Sequence, residues 1–235
     1  MRYLRDMKRL ALFCALCACL TFSCAQQQEE QLKTGDLIFV GIPADYTLDE
    51  GSMDAAISQA TGAADSLNLI HVAIAEVQGD STWMIDATIR RGVDRHPLDT
   101  FLRDFTLRDG SLPVFVIKRL IAVPGPDGKP VPVDATSYVE QAKTFCGLPY
   151  DQSFLPENGA LYCTELVRES YRTSDGEYLF ANKPMNWKNA EGEYPLYWQQ
   201  LFARLGEPIP QDVPGTNPQD MAESPLLETV PVNLP

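Results

Sequence analysis

Once residues 1–24 are set apart, the sequence offers two histidines, His71 and His96, and two cysteines, Cys146 and Cys163. Any general base of the imidazole type is therefore one of two residues. Cys163 begins a segment in which Cys163, Leu166, Val167, Ser170 and Tyr171 recur at the spacing of one buried helical stripe. A thiol at a helix start meets unpaired backbone N–H groups and the positive end of the helix dipole, which favour its thiolate. A histidine brought close adds an ion pair. The same N–H groups can hold the oxyanion that forms when a thiolate attacks a carbonyl.

His71 lies in a strand-like run, Ile70 to Val77, followed by Gln78-Gly79-Asp80-Ser81 and a second run, Thr82 to Ile89. A Gly-Asp pair between two such runs predicts a hairpin. A two-residue turn sets Gln78 opposite Ser81, Ala73 opposite Asp86 and His71 opposite Thr88. Side chains alternate, so His71, Ala73 and Ala75 share a face with Met84, Asp86 and Thr88. Val72, Ile74, Ile85 and Ala87, with Trp83, form the other, apolar face suited to a core. His71 and Asp86 become diagonal neighbours, roughly 7–8 Å apart between backbones. Across that gap a carboxylate can accept the second imidazole N–H and fix its tautomer. The residues thus suggest Cys163 as nucleophile, His71 as base and Asp86 as orienter.

Other readings of the same residues stand beside this one. A cysteine on an apolar stripe can be an inert small hydrophobe, and in an exported protein Cys146 and Cys163 can pair as a disulfide. Zinc is disfavoured, because structural sites use close ligand pairs and sixteen residues separate these cysteines. His96, in Arg95-His96-Pro97, reads as a loop residue after a strand, with no carboxylate at matched parity.

The elements that must position these groups follow from periodicity. Gly35 to Val40 alternates as a strand, and Ser52 caps a helix over 52–60 that ends at Gly62. Leu112 to Leu120 contains the dense apolar run PVFVI and predicts a central strand. Asp134 caps a helix with Tyr138, Val139, Ala142 and Phe145 on its buried face, ending at Gly147. Seven of the eighteen prolines fall in residues 206–235, where Leu226, Leu227, Val230 and Val232 give a C-terminal strap apolar material to bury. No internal repeat and no second core is visible. The pattern is α+β.

Composition narrows the function. With 19 Lys+Arg against 32 Asp+Glu, the chain carries a formal charge of −13 and repels phosphate, so no nucleic-acid partner is expected. At the N-terminus Arg2, Arg5, Lys8 and Arg9 precede an apolar run from Leu10 to Phe22, too short for a permanent span and read as an export signal. Ser23-Cys24 follows the pattern of bacterial lipoprotein signals, although Thr21 occupies a position usually held by Leu. A diacylated Cys24 would anchor the protein at the membrane, facing the periplasm or the surface; simple secretion is the alternative. Residues 1–23 are thus expected to be a signal, 24–33 a polar tether, and 34–235 a single domain. Losing the signal removes four basic residues and only one acid, Asp6, so the exported part is still more acidic.

Gly35-Asp-Leu-Ile-Phe39, His71-Val-Ala-Ile74, Ile85-Asp-Ala87, Tyr150-Asp151 and Tyr162-Cys-Thr-Glu-Leu-Val167 occur in that order. In this order the chain resembles the YiiX/YaeF-like group of circularly permuted, NlpC-type papain-like cysteine hydrolases, over roughly residues 34 to 230. The group reverses the ordinary papain order by placing the histidine strand before the cysteine helix. The resemblance implies a permuted papain-like fold, a small antiparallel sheet or barrel packed against a cysteine-bearing helix. It implies amide hydrolysis through a thioester, with Cys163 as nucleophile, His71 as base and Asp86 where the group often has Glu. It also implies an oxyanion role for Tyr150 and no metal or organic cofactor. The expected substrate is a small peptide or amide, with peptidoglycan-derived peptides suggested. An acyltransferase acting on lipids and a non-catalytic binding protein are the alternatives.

Overall fold

The computed structural model describes residues 30–61, 67–125, 127–133 and 135–234. The export signal, Cys24, the start of the tether, Gly62 and Asp134 lie outside these residues. No helix among the described residues is long and apolar enough to cross a membrane.

In chain order the main elements are β1 (Leu37–Pro43), α1 (Met53–Thr61), β2 (Leu67–Gln78), β3 (Ser81–Thr88), β4 (Gly92–Pro97) and α2 (Leu98–Asp104). They continue with β5 (Val114–Leu120), β6 (Val123–Pro124), β7 (Pro130–Val131), α3 (Ala135–Thr144), α4 (Cys163–Ser170) and β8 (Lys183–Pro184). The chain finishes with α5 (Leu196–Leu205), β9 (Pro214–Gly215), α6 (Pro218–Ala222) and β10 (Leu227–Thr229). Six strands pair antiparallel in the order β10-β5-β1-β2-β3-β4. This is an α+β fold, and α4 packs against β2 and β3.

The hairpin register follows the sequence from Gln78–Ser81 to Ile74–Ile85 and stops there. Ala73–Asp86 and His71–Thr88, expected as further rungs, are not part of the ladder. Beyond that point β2 keeps its pairing with β1, and β3 keeps its pairing with β4. Ile70 is a bulge in β2, since Val40 pairs with His71 and Gly41 with Leu69. A bulge adds local twist, and His71 lies beyond the last β2–β3 rung. Side chains bridge the resulting gap.

Both faces of the sheet are buried. One face packs Leu37, Val72, Ile74, Ile85 and Ala87 against α3 and α4, where Leu166 and Val167 are fully buried. Each of those two side chains contributes roughly 1.5–3 kcal/mol of hydrophobic stabilisation. The other packs Ile38, Val40, Ala73, Ala75 and Met84 against Phe101 and Leu102 of α2, a helix the periodicity did not reveal. Trp83, expected in the core, is only half-buried, with the Arg95 guanidinium 4.0 Å from its ring centre. It sits at the outer end of the sheet, where a cation–π contact replaces core packing. The strand expected to be central, β5, lies one place from the edge. Its outer neighbour is only three residues long, so Val114 remains exposed. The strap joins both layers, since Leu227 enters one core and Val230 the other.

Gly35 shows why the Gly35-Asp-Leu-Ile-Phe39 segment begins with glycine. Its φ is +85°, and a Cβ there would lie 2.2 Å from the Ala135 Cβ.

Candidate active site

Cys163 is the first residue of α4 and is buried, at 6% exposure. Tyr162 occupies the N-cap in an extended conformation and supplies no side-chain cap. The helix start is held from outside. The Tyr162 hydroxyl accepts the Thr216 N–H at 3.1 Å, and the Thr164 hydroxyl donates to the Thr216 carbonyl at 2.9 Å. Tyr150 precedes it in space as in sequence: its segment bridges to Leu161, with Leu161 N–H donating to Pro149 O and Asp151 N–H to Leu161 O. Cys146 is exposed, and both cysteines are free thiols, so the disulfide reading is set aside.

His71 lines the same pocket as the thiol. Its Nε2 lies 2.9 Å from Asp86 Oδ2, and the ring interacts electrostatically with Cys163. With Nε2 engaged by the carboxylate, Nδ1 is the nitrogen left for sulfur. Phe105 backs the imidazole, its ring centre 4.6 Å away, and Phe101 packs behind at 6.4 Å. Both come from α2 or its C-terminal cap. Burial opposes a charged imidazole, but negative charge on Cys163 and the hydrogen bond with Asp86 outweigh it. The His71 pKa is pushed up to about 10. A histidine so placed favours its protonated, cationic form.

The Tyr150 hydroxyl donates to Met53 Sδ at 3.9 Å. Burial raises its pKa, and the Cys163 charge raises it further, so it is a neutral O–H donor beside the sulfur. The structure therefore gathers Cys163, His71, Asp86 and Tyr150 around one point.

That point opens into a pocket of about 250 Å3. Met53, Ile57, Phe154, Met185, Trp187 and Trp198 give it a predominantly apolar wall. The aromatic part is closely packed. Phe154 packs edge-on to Trp187 and Trp198, and the Trp187 indole donates to Pro210 O at 2.9 Å. Tyr46 faces a separate cavity with Asp54, Ile70 and Phe105. Two residues escaped the sequence reading. Asp54, on α1, lines the pocket, and burial raises its pKa against the opposing charge of His71. His96 is not in a loop. It belongs to β4, is 5% exposed, and brings Nδ1 within 3.8 Å of Asp86 Oδ1. Its following proline concealed a strand end, where the missing N–H costs no rung.

Comparisons with known proteins bear on the family and the fold. Over 91 residues the chain is 30% identical to "Uncharacterized protein YiiX" of Escherichia coli K12, a match covering 39% of this chain and about 44% of that relative's length. A solved structure titled "Crystal structure of metalloprotein yiiX from Escherichia coli O157:H7, DUF1105" superposes with a TM-score of 0.63 at 24% identity. That superposition covers 88% of this chain and all of the other, and it supports the fold. Its title names a metalloprotein; among the described residues here, no group of three or more His, Cys, Asp or Glu is placed to hold an ion. The family model described as "Permuted papain-like amidase enzyme, YaeF/YiiX, C92 family" matches residues 31–231. The order of histidine strand before cysteine helix, the shared point of Cys163 and His71, and a match over most of the sequence make this chain a member of the permuted papain-like amidase family.

Proposed function

We propose that this protein is an exported cysteine amidase, anchored to the cell envelope by a lipid on Cys24, that cleaves an amide bond of a small peptide. The observation that carries the catalytic part is the His71 imidazole, bonded to Asp86 and lining the same pocket as the Cys163 thiol. The Cys163 thiolate attacks the carbonyl carbon, while its own backbone N–H and the Tyr150 hydroxyl hold the oxyanion. His71 gives its proton to the departing amine, leaving a thioester on Cys163. His71 then takes a proton from water, the resulting hydroxide attacks the thioester, and the acid leaves as the thiolate is restored. The apolar pocket beside sulfur suits an uncharged side chain on the carbonyl side of the scissile bond. Peptidoglycan-derived peptides are the cell-envelope substrates we put first. Anchorage rests on the Ser23-Cys24 pattern behind a basic and apolar leader.

The same apolar wall supports a second reading, an enzyme that accepts a fatty acyl group and hydrolyses or transfers it. Labelling of the native protein with iodoacetamide, followed by a panel of peptide amides, muropeptides and long-chain N-acyl amides, separates the readings. Rapid native labelling of Cys163 with hydrolysis of peptide amides, abolished in Cys163→Ala, is the expected result. Turnover of long-chain substrates alone selects the lipid reading. A thiol labelled only after unfolding removes both and leaves a binding protein. Radiolabelled palmitate retained by the wild type and lost in Cys24→Ser tests the anchor.

A further inference from the structure

The polar groups behind Asp86 are unusual for a buried site. Asp86 is fully buried; Oδ2 serves His71, while Oδ1 has no hydrogen-bond partner among the described residues. The Nδ1 of His96 points the same way, 3.8 Å off, and it too is buried without a hydrogen bond. Two orphaned buried atoms facing one another are rarely an accident, because each alone carries a desolvation penalty.

The other side of His96 fixes which nitrogen holds its proton. Arg91 Nη2 lies 3.4 Å from His96 Nε2. A guanidinium can only donate, so Nε2 must be the bare, accepting nitrogen. A neutral His96 then carries its proton on Nδ1, aimed at Asp86. Arg91 is itself anchored to Asp104 of α2 at 2.5 Å. Burial lowers the His96 pKa, Asp86 opposes this, and Arg91 adds to it, with Asp94 and Asp104 the remaining charges that face the ring. Asp94 Oδ2 stands 3.7 Å from Nδ1 and competes for the proton, but it is partly solvated.

We propose that His96 is a positioning residue of this site, acting through Asp86 by presenting Nδ1–H to the carboxylate oxygen that His71 leaves unused. This rests on the hydrolase reading above. Closing the gap to a hydrogen bond takes a movement of about 0.8 Å. The donor keeps the carboxylate from rotating or taking a proton when His71 gives up its charge during the cycle. A line of contacts thus runs from Cys163 through His71, Asp86 and His96 to Arg91.

The chain's two histidines make the test clean, since imidazole 15N–1H correlation spectra show two ring systems only. His96 is expected as the neutral Nδ1–H tautomer; an Nε2–H tautomer overturns the proposal even if no variant folds. In kinetics, His96→Ala is expected to lower kcat about tenfold with KM within about twofold. His96→Asn, which returns an N–H near the place of Nδ1, restores most of the rate. In an Asp86→Ala background, His96→Ala causes no additional loss. An equal loss in both backgrounds, or no loss in the wild type, defeats the role. Failure of the hydrolase reading looks different: Cys163 is then unreactive toward iodoacetamide in the native wild type.

Discussion

Asp36 and Asp86 are both buried aspartates, at 1% and 0% exposure, and they are treated in opposite ways. Asp36, just before β1, is saturated. Arg119 donates to it from Nε and Nη2 at 2.7 Å each, and the Lys33 N–H adds a third bond at 2.8 Å. The guanidinium is always charged and matches the carboxylate in a two-pronged geometry, and its pKa is raised further by that contact. Asp86, in β3, has one bond to an imidazole and one oxygen without a partner. A saturated carboxylate has one state. An undersupplied one facing titratable rings can respond when charge moves, which a catalytic cycle requires. Burial alone thus does not separate structural from chemical aspartates, whereas the partner's chemistry does.

Four substitutions sharpen that contrast. Asp86→Asn keeps shape but replaces the anionic, acceptor-only carboxylate with a neutral amide that can also donate, so kcat should fall by roughly 10^2 to 10^4-fold with a melting temperature near wild type; steady-state turnover and calorimetry decide. Asp36→Ala should do the reverse. It leaves Arg119 against an emptied site and is expected to cost about 3 kcal/mol of stability in urea unfolding, while the folded fraction keeps its turnover. A loss of turnover with intact stability at Asp36 would falsify the division. Tyr150→Phe removes one oxyanion donor and should lower kcat about 10^2-fold, with KM little changed.

The smallest effect concerns a third buried carboxyl, neither saturated nor catalytic. Glu165 has its pKa pushed up to about 8, chiefly by burial and then by Asp151. Its folded pKa exceeds its unfolded one, so its contribution to stability is complete below about pH 4.5 and fades as pH rises through about 8. Glu165→Gln, which keeps the side chain's size but cannot ionise, should gain in melting temperature relative to wild type as pH rises from about 5 to 8. A constant difference across that range would mean that Glu165 ionises normally.

Much of the frame was legible in the residues. Glycine and aspartate between two β-rich runs announced the β2–β3 hairpin, and its rungs from Gln78–Ser81 to Ile74–Ile85 follow from the turn length. The stripe Cys163, Leu166, Val167, Ser170 and Tyr171 is buried throughout, because 3.6-residue periodicity is a local property of the helix. The position of β5 was misread since PVFVI says only that a strand is apolar, not which neighbours cover it. His96 was misread because proline suggested a loop, and its value depends on Asp86 and Arg91, which reach it from elsewhere in the fold.

The sequence by itself determined the helix that carries the thiol, the hairpin that carries the histidine, and the face His71 shares with Asp86, since each depends on spacing along one stretch of chain. Only the tertiary structure decided that His71 and Cys163 line one pocket, that aromatic residues from distant segments wall it, and that a second histidine stands behind the carboxylate. Those are meetings between groups far apart in sequence. They are set by packing, which local periodicity does not encode.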